Sequence, residues 1–591
     1  MPRAMVQDTG LTARLRALLT HRRAPLFLAV LAFVLTLPAL GAGFVMDDYF
    51  HRNVLLRRGE WSAARPLWDL FAFVPADPAA WMRNSGIPPW WSSPDVLIHF
   101  ARPLTALTHM LDHALWPDSA VLQHLHSVFW YALAVGLAAA LYRRLFDSPI
   151  VAGAAGLLFA VADSHAMAVG WLSGRNGLLC LVCGLGALHL HLSWRRTGSP
   201  RYLASALLLF VLGLGCGEAA LGTLAYIAAW HLVLEKGSWQ RRILALAPYA
   251  GFVVLWRILY VTAGFGTRGS PLYVDPGSQP RLFLQALVER APLLASAQWL
   301  KVPVDLLVIL PRQAQLTASI LAAFLVAGML ALLWRPLRRE AMARFWALGM
   351  AFSLVPICAA FPMDRLLLFA GLGGFGLMAV FFESTGLWPS DRARDSVWRR
   401  RAAWLLLVLH GPVAAALQPV RTLAQPLSDP SPAFARQAPR EPEVAEQTFI
   451  FVNGHDMLVA YVRLLRVAMG DAPAPQRVAV LASFTTRQTV RRTDGRTLEI
   501  RADGGFIAHT IDRLLADPGR RFLPGERIER PSFSAQIRSL TADGRPLEVA
   551  FRFESVLEDP GLRWLYWNDE GRLVEFPLPA VGETVTVPAG F

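Results

Sequence analysis

The sequence predicts a mainly α, polytopic membrane helix bundle of about eleven spans with a soluble, β-rich domain at its C-terminal end. Three observations carry this. The 591 residues are 54% hydrophobic and only 17% charged, with a mean hydropathy of +0.39, whereas ordinary soluble domains carry about 25% charged residues. Paired arginines recur in short loops between apolar runs. After about residue 420 the composition turns polar and strand-like. Intrinsic disorder, a collagenous chain and a small disulfide scaffold are excluded by the same figures.

The net charge of +14 is almost entirely arginine, with Lys236 and Lys301 the two lysines. Much of it sits beside apolar segments, as topology-setting charge does, so no nucleic-acid partner is expected. Residues 1–24 read as a cytoplasmic N-terminus. A body at 25–420 follows, its spans starting near Pro25, Val121, Pro149, Gly174, Tyr202, Ala219, Ile243, Leu316, Arg344, Leu366 and Ala402. Alternation from an inside N-terminus makes every inside loop basic: Arg143-Arg144, Arg195-Arg196, Lys236 with Arg241-Arg242, Arg335 with Arg338-Arg339, and Arg392 to Arg401.

Two long external loops are expected, at 46–120 and 264–311. The first holds Trp61, Trp68, Trp81, Trp90 and Trp91, residues that favour the membrane interface. The second carries a Leu-rich stretch broken by Pro292 and Pro303, read as interfacial or re-entrant. Residues 421–445, rich in Pro, Ala, Gln and Arg, read as a linker. The domain at 446–591 shows runs flanking Asp494-Gly495, Asp543-Gly544 and Asp569 to Gly571, the pattern of hairpins, and one helix over Val459 to Met469. With eleven spans it lies outside the cytoplasm.

The four cysteines, Cys180, Cys183, Cys216 and Cys358, all fall in apolar stretches, and the Cys180/Cys183 pair has no metal-spaced companions, so packing is expected. His124, His126, His189 and His191 read as helix-face residues. Gly371, Gly373, Gly374 and Gly376 read as small residues that pack helices.

Polar groups at the ends of spans are costly and so are functional candidates. Asp47 and Asp48 close the first span. His165 ends the third, Glu218 ends the fifth, and Asp364-Arg365 follow the ninth. In the topology above these all meet one outer face.

The residues that carry these charges also carry a resemblance. Met46-Asp47-Asp48-Tyr49 resembles the acidic pair in the first external loop of GT-C glycosyltransferases. Arg102-Pro103-Leu104-Thr105 with Leu111-Asp112-His113-Ala114-Leu115-Trp116 is similar to a stretch of the transmembrane and tetratricopeptide-repeat O-mannosyltransferases and their bacterial relatives. His165 with Val169, Gly174 and Arg175, then Cys216-Gly217-Glu218, then Asp364-Arg365-Leu366 with Gly371, follow in that family's order. The resemblance covers about residues 25 to 385. It departs from the family at Met167 and Gly217, and a strand-rich domain stands where the repeats would be.

The resemblance implies a GT-C-like bundle in a bacterial inner (plasma) membrane. It would move a sugar from a polyprenyl-phosphate carrier to an acceptor hydroxyl, on a protein or an envelope glycan, at the extracytoplasmic face. Asp47 or Asp48 would be the catalytic base, the other free for positioning or for a divalent metal such as Mg or Mn. Arg102, Arg175 and Arg365 would hold the departing phosphate, with His165 a phosphate donor or proton relay. Glu218 and Asp364 would complete the substrate site, although Glu218 could equally pair with an arginine. Two alternatives stay open: a non-catalytic protein of the same fold in envelope assembly, and a lipid or polysaccharide transporter, which would need polar groups at mid-membrane depth. The topology is tested with reporter fusions after Arg196 and after Phe591. They are expected to report opposite compartments, and a shared compartment would undo the common-face argument.

Overall fold

The computed structural model describes residues 10–59, 65–74, 77, 88–387, 396–423, 429–470, 472–509, 511–517 and 519–589. Trp61, Trp81, Arg392 and Arg394 lie outside the described residues.

The body is a helix bundle, and each of the eleven apolar segments is helical. Among the described residues, six helices are long and apolar enough to cross a membrane: Ala24–Gly41, Ala120–Leu145, Leu172–Thr197, Trp239–Thr262, Arg312–Arg339 and Val397–Thr422. Pro149–Ala160 and Asp163–Gly170 form a pair bent by 42°, a seventh span if taken together. Pro200–Cys216, Ala341–Ile357 and Leu368–Ser384 are apolar but shorter, and Gly222–Val233 has 12 residues. The architecture is that of an integral multi-pass membrane protein. The exposed Leu, Ile, Val and Phe side chains of Trp239–Thr262 and Arg312–Arg339 suit a lipid-facing surface.

Small residues let the innermost helices touch. A Cβ on Gly373 or Gly376 would strike Trp346, so Leu368–Ser384 packs directly on Ala341–Ile357. The cysteines pack as expected, with no disulfide. The Leu-rich stretch of the second loop is a 21-residue helix, Pro280–Leu300, that runs through Pro292 and buries its C-terminal half, Leu293 to Trp299. The two long loops also meet: β1 (Ala72–Val74), β2 (Leu97–His99) and β3 (Gly266–Arg268) form a small antiparallel sheet. Nothing local in the sequence announces it.

Among the described residues the C-terminal domain holds two sheets. β4 (Thr448–Asn453), β5 (Arg477–Ala482), β6 (Gln488–Asp494), β7 (Thr497–Ala502), β8 (Arg527–Glu529), β9 (Phe533–Leu540), β10 (Pro546–Phe553), β11 (Leu562–Trp567), β12 (Leu573–Glu575) and β13 (Thr584–Val587) follow in order. The three expected hairpins form as β6–β7, β9–β10 and β11–β12. Gly544 and Gly571 take φ of +81° and +67° in their turns, a left-handed backbone conformation that residues with a Cβ rarely adopt. The antiparallel sheet runs β13-β6-β7-β10-β9-β8 and the second β12-β11-β4-β5. In the second, β4 pairs in parallel with both β5 and β11, with the helix Asp456–Met469 as the β4–β5 crossover.

Two expectations are corrected here. Trp90 and Trp91 are not at a membrane interface; both are 1% exposed in the core of the C-terminal domain. Their indole N–H groups donate to the Leu481 and Asp512 carbonyls at 2.8 and 2.9 Å, and Trp90 packs edge-on against Phe506 and Phe551. The first loop therefore supplies part of that core. From Asp429 the expected linker is also folded, with Phe434 stacked between Phe451 and Trp567.

Truncating Trp90 leaves a cavity and an orphaned carbonyl. Trp90→Ala is expected to cost about 3–5 kcal/mol in the C-terminal domain. Limited proteolysis of the full-length protein should show residues 446–591 cut far sooner, with the helical body intact.

Candidate active site

The first apolar helix ends at Gly41, and the chain turns sharply before the next begins at Asp47. Met46 sits at φ 45° and ψ −114°, a backbone conformation that costs about 1–3 kcal/mol and persists only when its surroundings enforce it. Two carboxylates do so. Asp48 Oδ2 accepts the Val45 N–H at 3.0 Å, and Asp429 Oδ2 accepts the Met46 N–H at 3.2 Å.

Asp48 is the more committed of the acidic pair. It is 3% exposed, and its Oδ1 takes both the backbone N–H and the hydroxyl of Ser173 at 2.8 and 2.6 Å. Burial lifts its carboxyl to about 7, against the pull of the Ser173 and Val45 donors. Asp47, one residue earlier, accepts one hydrogen bond among the described residues, from the Tyr461 hydroxyl at 2.9 Å. Burial raises its carboxyl above the usual carboxylate range, while the Tyr461 hydroxyl and the charge of Arg365 draw it back down.

The turn that Asp48 grips also carries Trp171, whose indole N–H donates to the Val45 carbonyl at 3.3 Å. Arg365 lies over the Trp171 ring, 5.0 Å from its centroid. Its Nε points to the Met363 sulfur at 3.4 Å, and among the described residues it makes no ion pair. Arg102 shares this neighbourhood, held by cation–π contacts to Phe100 and Phe71 at 4.4 and 5.0 Å. Its Nε and Nη2 both donate to Glu218 Oε2 at 3.1 and 3.0 Å, and Tyr260 donates to Glu218 Oε1 at 3.0 Å. Of the two readings of Glu218, the structure shows the ion pair.

Three of the expected site residues have partners inside the protein. Arg175 is fully buried. Its guanidinium is spent on Asp112 at 2.5 Å, Ser127 at 2.9 Å and the Gln123 carbonyl at 2.7 Å, because a buried charge survives only when paired. His165 is enclosed by Phe159, Phe375 and Tyr131, with Nδ1 3.2 Å from the Tyr131 hydroxyl and Nε2 against Gly371. Asp364 faces Arg421, at 2.6 Å.

Arg421 was not singled out in the sequence. It closes the last span and also binds Asp163 at 3.0 Å and Asp305 at 3.3 Å, while Lys301 pairs with Asp163. Asp305 in turn accepts the Asp364 N–H at 3.0 Å. This network fixes the 364–366 turn that presents Arg365. Gly170 lets the Thr422 backbone approach closely enough to bring Arg421 there, since a Cβ would strike the Thr422 carbonyl. The one signal in the sequence was that Lys301, Asp163 and Arg421 are charges at ends of apolar runs. Among the described residues no group of three or more His, Cys, Asp or Glu side chains is arranged to hold a metal ion, and both oxygens of Asp48 already accept N–H or O–H donors.

No family model matches the chain. It is similar to two O-mannosyl-transferases of Drosophila melanogaster. With Protein O-mannosyl-transferase Tmtc1 it shares 35% identity over 202 residues, 33% of this chain and 21% of that protein. With Protein O-mannosyl-transferase Tmtc2 it shares 32% identity over 276 residues, 44% of this chain and 27% of that protein. The chain thus spans about a quarter of the length of the curated relatives it matches. Among solved structures it is similar to the apo crystal structure of ArnT from Cupriavidus metallidurans, with 12% identity, a TM-score of 0.32, and coverage of 77% of this chain and 88% of that one. The resemblance read from the residues is to the family of these two relatives.

The buried Arg175–Asp112 pair makes a prediction that separates structure from ligand binding. Arg175→Met leaves Asp112 buried without its main partner, and a loss of about 3–5 kcal/mol is expected. It should appear as a lower unfolding temperature of the detergent-solubilised protein; an unchanged melt with weakened phosphate binding would return Arg175 to the ligand site.

Proposed function

We propose that this chain is a membrane glycosyltransferase that moves a sugar from a polyprenyl-phosphate carrier to an acceptor hydroxyl on a protein or an envelope glycan, at the extracytoplasmic face. The observation that carries the reading is the electrostatic coupling of Asp47 and Arg365. A half-buried carboxylate with one hydrogen bond feels the charge of a guanidinium that has no ion pair among the described residues and is held over Trp171. The names of the two relatives make mannose the first sugar to test.

In this reaction the acceptor oxygen attacks the anomeric carbon. The bond from that carbon to the phosphate oxygen breaks, its electron pair staying on the lipid phosphate. The acceptor proton passes to Asp47 as general base. The phosphate gains charge as it leaves, and a preorganised guanidinium lowers the barrier where that charge develops. Arg365 fills this role, with Arg102 adding charge from its place beside Glu218. Asp48 is the anchor: its donors hold it as part of the scaffold that orients Asp47. Asp163, Asp305, Asp364, Lys301 and Arg421 keep the Arg365 turn in place.

The test is a transfer assay with purified protein and a panel of polyprenyl-phosphate sugars, polyprenyl-phosphate mannose first. Asp47→Asn should lower turnover by roughly 10²- to 10⁴-fold with little change in melting. Asp48→Asn puts an amide N–H against a backbone N–H, so it should destabilise the protein by about 1–3 kcal/mol. Arg365→Lys keeps charge but not the planar fork, and should lose less than Arg365→Ala. A carboxylate base with a raised pKa is protonated, and inactive, as pH falls through that value, so the acid limb of the rate profile should lie above the usual carboxylate range of about 4. Full transfer by Asp47→Asn would overturn the reading.

A further inference from the structure

Asp47 has two carboxylate oxygens, and the hydrogen bonds of the described residues occupy one. The Tyr461 hydroxyl donates to Oδ1 at 2.9 Å. Tyr461 comes from the helix Asp456–Met469 of the C-terminal domain, more than 400 residues along the chain. That helix docks on Asp47–Leu55: the Asn53 amide donates to the Leu464 carbonyl at 2.9 Å, and Arg52 and Arg58 both donate to the Ala468 carbonyl. The Tyr461 ring is itself buried with Tyr49, Phe50 and Leu465. A tyrosine so enclosed presents its hydroxyl from a fixed point.

We infer that Tyr461 is a positioning residue for the transfer reaction: its hydroxyl fixes Oδ1 of Asp47 and so leaves Oδ2 to take the acceptor's proton, which makes the C-terminal domain part of the active site. This rests on the glycosyltransferase reading. A carboxylate in the first turn of a helix can rotate about its terminal torsion, which is broad. One donor with a rigid origin sets its plane, as an orienting partner does for other catalytic bases. The same donor favours the charged form. Around Asp47 stand Arg365 on the 364–366 turn and Arg102 before the helix Pro103–Leu115, which favour its ionisation, and Asp429, which opposes it. Its neighbour Asp48 is a second carboxyl. Loss of the hydroxyl therefore tips Asp47 toward protonation.

Tyr461→Phe in the full-length protein, assayed with polyprenyl-phosphate mannose across pH, tests this. Expected is a fall in kcat of about tenfold near pH 6, with donor KM unchanged, the acid limb moved up by about one pH unit, and much of the rate recovered at alkaline pH. Asn53→Ala loosens the same docked helix without touching Asp47, so any loss it causes should be the same at every pH. A Tyr461→Phe profile of unchanged shape, or a uniform loss with a lower melting temperature, would overturn the inference. If Asp47→Asn retains full transfer, the glycosyltransferase reading itself fails. If Asp47→Asn is inactive and Tyr461→Phe behaves as wild type, only the role of Tyr461 falls.

Discussion

The carboxylate of Asp48 ties the end of the first span to the turn between two later helices, and the geometry of the site depends on that tie. Its three donors come from Val45 and Ser173, so one side chain joins segments about 125 residues apart in sequence. The consequences spread from there. Met46 is held in a strained conformation, which turns Asp47 toward the Tyr461 hydroxyl. Trp171 is drawn against the Val45 carbonyl and becomes the platform under Arg365. A buried carboxylate is expensive, and its full set of donors explains how this one is tolerated.

A second constraint comes from the C-terminal domain. Its core includes Trp90 and Trp91 from the first long loop, and Arg530 and Arg520 bind the carbonyls of Trp90 and Ser92 at 2.8 and 2.9 Å. The domain is therefore interleaved with the body. This fixes the height at which the helix Asp456–Met469 meets Asp47, and a domain joined only through a flexible linker could not hold a hydroxyl to that precision.

The body pays for its buried charges by pairing them. Arg175 with Asp112 is fully buried, and Arg421 with Asp163, Asp305 and Asp364 forms a network that is partly exposed. Removal of one partner from such a pair costs more than the pair contributes. These groups act as fasteners between helices whose apolar surfaces could otherwise slide. Arg365 differs from them in making no ion pair among the described residues, and Asp47 in accepting a single hydrogen bond there.

The sequence by itself determined what repeats locally. Runs of about 20 apolar residues require helices in lipid, and each of the eleven segments is helical. Asp-Gly turns between alternating runs require hairpins, and all three formed. Asp47, Asp48 and Arg365 stand out in the sequence as candidates because charge at the end of an apolar run is costly in lipid. Tertiary structure decided which charges are spent on one another. Nothing near Arg175 states that Asp112 will face it, nothing near Arg421 states that three aspartates converge there, and the parallel pairing of β4 with β11 joins strands over 100 residues apart. Those pairings are set by packing between distant segments, where burial forces each polar group to find a partner, and local pattern holds no record of which partner it is.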